Sequence, residues 1–466
     1  MKKNRIIYGE YRSGVQKKAV SMLSEILLDV THAYPVCIPH TEAQSDCNVR
    51  DLYIGTRENN PYILTSSPTP LSDAEAYRIT VKDDTVYIEG ADDAGVLYGC
   101  VDFYDKYLSI IAYTDNSQKY YVNPLEQPLP NVTLNSHPAT KNRGIWTWGH
   151  VIYDYKGFFD NMTRLKMNSV IIWNDHAPIN AREVVDYAHN CGIKVIWGYS
   201  WLWGTNCAAV DILHATDAID TIVDTYEREY RDTGADGIYF QSFTELNDER
   251  INGVLIAEAV TDFVNRAAAR LFEKYPTLEL QFGLHADSVK KQLPYIKNVD
   301  PRVRIVWENC GSFPFSYIPN DVSNFESTVD FVKEIATLRG ETERFGAVTK
   351  GITKLDWSCF EHLEGAVSIG IASKRMKENR VARKNPIWRY IQAGWIAYAD
   401  YAEQIIRTMY ECCRSDLYIT ALVEDGMFEG NIMYPVALCA EMLWGYDGDP
   451  RELLRTVALR NYVDFA

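Results

Sequence analysis

The sequence predicts an α/β protein: a (β/α)8 TIM barrel preceded by a small amino-terminal α/β domain and followed by a helical tail. Three observations carry this. From Asn142 onward, short apolar runs alternate with stretches of helical periodicity, eight times over. No Gly-x-Gly-x-x-Gly turn follows any of the runs, which counts against a doubly wound open sheet. The runs end in aromatic and polar residues, as barrel strands do at the mouth where their loops form a site. The predicted limits are 1–135 for the first domain, 136–430 for the barrel and 431–466 for the tail.

In the first domain, Arg5-Ile-Ile-Tyr-Gly reads as a strand. Val15 to Ala33 is an amphipathic helix with Val15, Ala19, Met22, Leu23 and Ile26 on one face. Leu52-Tyr-Ile-Gly is a further strand. Tyr77-Arg-Ile-Thr-Val and Thr85-Val-Tyr-Ile-Glu alternate apolar and polar residues about Lys82-Asp83-Asp84, which makes a hairpin. A helix follows to about Leu108, with Asp92 or Asp93 as its cap. From there to His137 the chain reads as a linker with extended pieces.

The barrel strands are predicted at Gly144-Ile-Trp-Thr-Trp, Ser169-Val-Ile-Ile-Trp, Lys194-Val-Ile-Trp-Gly-Tyr, Gly237-Ile-Tyr-Phe, Leu278-Glu-Leu-Gln-Phe-Gly and Val303-Arg-Ile-Val-Trp. A weaker seventh lies near Gly351-Ile-Thr-Lys-Leu, and the eighth is Leu417-Tyr-Ile-Thr-Ala-Leu-Val. Helical patterns separate them, the last being Trp388–Cys412. Tyr434–Trp444 and Pro450–Asn461 read as the helical tail.

Length and composition bound the function. With 466 residues, 47% hydrophobic and 24% charged, the chain is globular and has room for two or three domains. Its formal net charge of −16, with no long Lys/Arg cluster, argues against nucleic acid or an anionic membrane as partner. No apolar run is long enough to span a bilayer. Met1-Lys-Lys-Asn-Arg is basic, but no apolar core follows, so no signal peptide is expected. The ten cysteines are scattered without zinc spacing, which fits reduced thiols in a cytoplasm.

The chemistry is read from the strand ends. In a barrel these face one mouth however far apart they lie in sequence. The first strand ends in Trp146, Trp148 and His150. The second brings Trp173, Asn174 and His176, and the third Tyr199 and Trp201. Glu245 follows the fourth, in Gln241-Ser-Phe-Thr-Glu245. His285 and Asp287 follow the fifth. Trp307, Glu308 and Asn309 end the sixth. Asp356 and Trp357 follow the seventh, and Glu424 the eighth. Indole faces stack on the C–H faces of sugar rings while the N–H reaches a hydroxyl. Carboxyl groups in such a mouth suit glycoside hydrolysis. One carboxylic acid protonates the leaving oxygen, and a second group attacks the anomeric carbon or activates water. Glu245 is the candidate acid, and Glu308 and Asp356 are the candidates for the second carboxylate. The remaining residues named here are candidates for holding the sugar. No cofactor or metal is called for. A metal set of His150, His176, His285, Asp287 and Glu308 lacks any local ligand spacing. The expected partner is an oligosaccharide, with a homodimer allowed for.

Several stretches then resemble known families. Tyr77-Arg-Ile-Thr-Val…Val-Tyr-Ile-Glu-Gly with Ala91-Asp-Asp-Ala-Gly-Val-Leu-Tyr-Gly is similar to the small domain that precedes the barrel in glycoside hydrolase families 20 (β-hexosaminidases) and 67 (α-glucuronidases). Asn142-Arg-Gly-Ile-Trp, Met162–Trp173 and Ala440-Glu-Met-Leu-Trp-Gly resemble the same families. The resemblance implies that Glu245 is the acid. Family 20 enzymes carry an Asp before that Glu, to position the N-acetyl group that acts as nucleophile. Here Thr244 stands in its place. The family 67 resemblance implies Glu308 and Asp356 as base candidates. A uronic acid substrate would want a cation in the mouth, for which Lys350, Lys354, Arg143 and Arg383 are available. A carbohydrate-binding barrel without catalysis is the rival expectation.

Overall fold

The computed structural model describes residues 2–67, 69–108, 125–202, 215–242, 249–251, 253–285, 289–309, 325–340, 344–352, 365–413, 416–424, 428–430, 434–445 and 449–460. The chain forms two compact units. One comprises residues 1–138 with 189–192 and 458–466, and the other residues 139–188 and 193–457.

The first unit holds a six-stranded sheet. Its strands are β1 (Lys3–Tyr8), β2 (Val36–Pro39), β3 (Val49–Thr56), β4 (Tyr77–Lys82), β5 (Thr85–Gly90) and β6 (Val132–Ser136). Their order in space is β2-β1-β3-β5-β4-β6. Helices Gly14–Thr31 and Asp93–Asp102 pack against each other on one face of the sheet. The first is capped by Ser13, whose hydroxyl accepts from the Gln16 N–H at 3.3 Å, and the second by Asp92, which accepts from Gly95 at 2.8 Å. The β4–β5 hairpin turns through Asp83 and Asp84, both with positive φ (51° and 65°), as a tight two-residue hairpin turn demands. The segment read as a linker supplies β6, which completes the sheet beside β4.

The second unit is a closed barrel of eight parallel strands: β7 (Asn142–Trp148), β8 (Ser169–Trp173), β9 (Lys194–Gly198), β10 (Gly237–Phe240), and, after the two-residue ribbon strands β11 (Arg250–Ile251) and β12 (Val254–Leu255), β13 (Glu279–His285), β14 (Val303–Glu308), β15 (Phe345–Thr349) and β16 (Tyr418–Val423). Parallel strands buried on both faces read as continuous apolar runs, which is why the sequence reveals most of them. The lumen is filled by Trp146, Ile171, Trp173, Ile196, Tyr239, Val306, Val348, Tyr418 and Leu422.

The seventh strand differs from expectation. It is Phe345–Thr349 and ends before Gly351, whose φ of 79° cannot continue a strand. Trp388–Cys412 likewise belongs to two helices, Lys374–Ala397 and Ala399–Cys412. Among the described residues no helix is long and apolar enough to cross a membrane.

Arg304, at the amino-terminal end of β14, is 2% exposed and holds two carboxylates: Nε to Glu279 Oε1 at 2.8 Å and Nη2 to Asp416 Oδ2 at 2.9 Å. Arg344 joins the same pair at 3.0 and 3.4 Å. This charged cluster lies at the end opposite the strand carboxyl termini, where barrels carry stability rather than chemistry.

Candidate functional site

Strand alternation decides which residues share the mouth. Along β14, Arg304, Val306 and Glu308 share one parity. Val306 is a lumen residue, so Glu308 faces inward as well. His285 is the register partner of Glu308, and Lys350 lies two residues beyond its other partner, Val348. Glu424 is two residues beyond Leu422 of the lumen and is buried.

Glu308 is the centre of this arrangement. It is 2% exposed. Its Oε1 accepts from the Tyr239 hydroxyl and from Gln241 Nε2, and its Oε2 lies 2.9 Å from Lys350 Nζ. Burial pushes the carboxyl up. The Lys350 ammonium, the Tyr239 hydrogen bond and the charge of His285 together outweigh it and hold Glu308 below its ordinary value. Glu308 is therefore ionised at neutral pH, inside a low-dielectric lumen.

An aromatic wall adjoins it. Trp146 meets Trp148 edge to face with ring centres 4.9 Å apart, and Trp173 lies 6.2 Å from Trp146 and 5.9 Å from Trp148. Tyr239, the donor to Glu308, is 5.8 Å from Trp146 and 6.3 Å from Trp173. His150 stands 6.3 Å from Trp148. Glycines make room for these rings. A Cβ at Gly198 would come within 2.9 Å of Trp173 Cε3.

Other candidates sit elsewhere. Trp307 has the opposite parity from Glu308 and packs on Phe331 at 5.6 Å, on the outside of the barrel. Tyr199 stacks on Tyr230 at 4.9 Å and its hydroxyl donates to the Ile222 carbonyl at 3.2 Å. Trp201 lies flat on Phe240 at 3.6 Å. The His176 side chain is 45% exposed, with Nδ1 3.2 Å from Glu229. Asn309 accepts from the Lys350 backbone N–H at 2.8 Å, and the Asn174 amide donates to the His176 carbonyl. These two shape loops. Arg143 is spent on the Thr140, Lys141 and Lys166 carbonyls. Glu245, Asp287, Asp356 and Trp357 lie outside the described residues. Among the described residues no three His, Cys, Asp or Glu side chains form a group that could hold a metal.

Sequence reading missed Tyr239 and Gln241. Tyr239 looked like core within an apolar run. The signal was parity: Gln241 continues the inward face of β10 one step past Tyr239 with a polar group. It also missed Glu429. That carboxylate accepts from the Tyr153 and Asp154 backbone N–H groups at 2.6 and 2.9 Å, tying the loop after the eighth strand to the loop after the first. Residues 365–372, after the seventh strand, run beside the same rim. Ile369 and Asn180 exchange hydrogen bonds at 2.9 and 3.0 Å, and Gly370 and Ala372 donate to Ile152 and Tyr153 at 3.1 and 2.9 Å.

No protein-family description matches the chain, and no curated protein is similar to it in sequence. Solved structures are. A family 138 glycoside hydrolase targeting pectin rhamnogalacturonan II superposes with a TM-score of 0.57 at 11% identity, over 96% of this chain and 64% of that one. A family 115 4-O-methyl-α-glucuronidase with specificity for decorated arabinogalactans gives 0.54 at 13%, over 96% and 57%. The β-N-acetylhexosaminidase of Bacteroides fragilis gives 0.53 at 14%, over 96% and 88%. The chain thus spans about three fifths of the length of the first two. Its fold, a parallel eight-stranded barrel with a separate amino-terminal sheet, is the fold of these glycoside hydrolases.

Proposed function

We propose that this protein is a glycoside hydrolase that cleaves a glycosidic bond in an oligosaccharide by carboxyl acid/base chemistry. One observation carries the reading: an ionised, buried carboxylate, Glu308, ends the sixth barrel strand beside a wall of Trp146, Trp148, Trp173 and Tyr239. Of these rings Trp148 is the half-buried one, and its face is the one that can meet the C–H face of a sugar. A carboxylate held ionised can serve an oxocarbenium-like transition state as base or nucleophile. Glu245 is the proposed proton donor, with Glu308 or Asp356 as the second carboxylate and Glu424 a further acid at the mouth. The activities of the structural neighbours, a 4-O-methyl-α-glucuronidase and a β-N-acetylhexosaminidase, favour α-glucuronidase-like or hexosaminidase-like substrates. The missing Asp before Glu245 tilts this away from N-acetyl assistance. We place the protein in a reducing compartment such as the cytoplasm, on its scattered thiols.

The test is turnover of 4-nitrophenyl glycosides and aldobiouronic acids by the wild type beside Glu245→Gln. Cleavage of the aldobiouronic acids, whose alcohol leaving groups need the proton, that the variant loses supports the assignment, and a Glu245→Gln fully active on them overturns it. One observation favours a second reading, a sugar-binding barrel without catalysis: both Glu308 oxygens already accept from protein donors. Sugars that raise the melting temperature without ever being cleaved would select it.

A further inference from the structure

We propose that Lys350 is a positioning residue: its ammonium, 2.9 Å from Glu308 Oε2, fixes Glu308 as the ionised member of the catalytic carboxyl pair and bars it from the proton-donor role. This rests on the glycoside-hydrolase reading above.

Glu308 is 2% exposed, and an isolated carboxylate at such a place would take up a proton rather than stay charged. Tyr239 and Gln241 are neutral donors. They orient Oε1 but bring no opposing charge. Lys350 brings a full charge to the other oxygen. Its side chain is 15% exposed, and its backbone N–H donates to Asn309 Oδ1 at 2.8 Å, which anchors the backbone from which the side chain reaches Glu308. The titratable groups that act most strongly on Glu308 stand on or just beyond three strands. Lys350 follows β15, His285 ends β13 and Tyr239 lies on β10.

The assignment divides the labour of the pair. As base, Glu308 takes a proton from water while the water oxygen bonds to the anomeric carbon. As nucleophile, its own oxygen forms that bond, and water later displaces it. In both cases the glycosidic C–O bond breaks, its electron pair leaves with the oxygen, and a different group protonates that oxygen. Glu308 cannot be that group, because the proton it would need is excluded by Lys350.

Two measurements test this. In the first, carboxyl ¹³C resonances of glutamate-labelled protein are followed with pH, Glu308 being assigned by its loss in Glu308→Gln. In the wild type and in Lys350→Arg, Glu308 should titrate below the ordinary glutamate range. In Lys350→Met its midpoint should rise by about one to three pH units. An unmoved midpoint overturns the inference. In the second, the acidic limb of kcat/KM is recorded on a 4-nitrophenyl glycoside that the wild type cleaves. The limb should move up with the Lys350→Met midpoint and return in Lys350→Arg, with melting temperatures confirming that both variants fold. A limb that stays put while the midpoint moves removes Lys350 from the reaction. A wild type that cleaves nothing sinks the glycosidase reading, and the resonance titration then still decides whether Lys350 sets the charge of Glu308.

Discussion

Gly283 faces the hydroxyl of Tyr239 with nothing between them. A Cβ on Gly283 would overlap the Tyr239 ring and hydroxyl and stand 2.9 Å from Glu308 Oε1. The absent side chain on β13 is therefore what lets Tyr239 reach across the lumen to Glu308. Gly283→Ala should push Tyr239 off the carboxylate. We expect a stability loss of about 1–3 kcal/mol in urea unfolding, with a larger proportional loss of kcat than the melting temperature alone would suggest. An alanine variant with unchanged kcat and stability would mean that the lumen relaxes freely there.

The Arg304 cluster makes a stability prediction. Arg304→Met leaves Glu279 to Arg344 and the Gln281 amide, and Asp416 to Arg344 and Lys141. Breaking a buried pair by removing one partner costs about 3–5 kcal/mol, and the remaining cations place this case near the lower end. Both carboxyls are pushed up by burial, but the neighbouring cations, Arg304 first, hold them below their ordinary values. Their contribution is thus present above the unfolded carboxyl range and lost as pH falls through the folded values. The variant's deficit, read as a urea midpoint, should shrink on acidification below that range.

Glu429 should behave in the opposite sense. Burial raises its carboxyl to about 7, against the pull of the Tyr153 and Asp154 amides, while Asp154 pushes it further up. Asp154 is itself paired with Lys377 at 3.0 Å. A carboxyl whose folded value is raised binds its proton more tightly when folded, so ionising it destabilises. Its cost appears as pH rises from the unfolded carboxyl range to about 7, and is full above that. Glu429→Gln keeps an accepting oxygen for both amides. Its melting temperature relative to wild type should therefore climb between pH 5 and pH 8, and a pH-independent difference would show that Glu429 does not titrate there.

Two tryptophans should separate binding from packing. Trp148 adjoins the mouth cluster, whereas Trp307 lies between barrel and helix. Trp148→Ala should raise KM roughly 3- to 10-fold on a cleaved glycoside. Trp307→Ala should cost about 3–5 kcal/mol of stability and leave KM in place. Reversed outcomes would contradict the lumen assignment of Trp148.

The barrel was legible because its strands are apolar on both faces. Ser169-Val-Ile-Ile-Trp and Val303-Arg-Ile-Val-Trp are unmistakable, whereas Phe345-Gly-Ala-Val-Thr is diluted by Gly346 and Ala347 and escaped notice. The site was half legible. Glu308 and the Trp146, Trp148 and Trp173 wall declare themselves as polar or aromatic residues at strand ends. Trp307 and Tyr199 carry the same signature yet point outward, because residue type says nothing of parity until the register is known. Tyr239 was hidden for the converse reason: a phenol in an apolar run looks like filling. Lys350 stood out only as a cation, and its partner 42 positions upstream, Glu308, is a matter of strand adjacency (350 − 308).

The closure of the barrel also has a temporal side. β7 is sealed by β16: Thr147 donates to the Val423 carbonyl at 2.8 Å, 276 residues along, and Asn142 to Leu417 at 3.2 Å. At about 5–20 residues per second, a ribosome delivers the last strand on the order of 14–55 s after the first. Throughout that interval the nascent sheet has an open edge at β7, rich in tryptophan and unpaired amides. The newborn chain must be sheltered for that whole interval, and any premature stop before Tyr418 leaves a ribbon primed for aggregation.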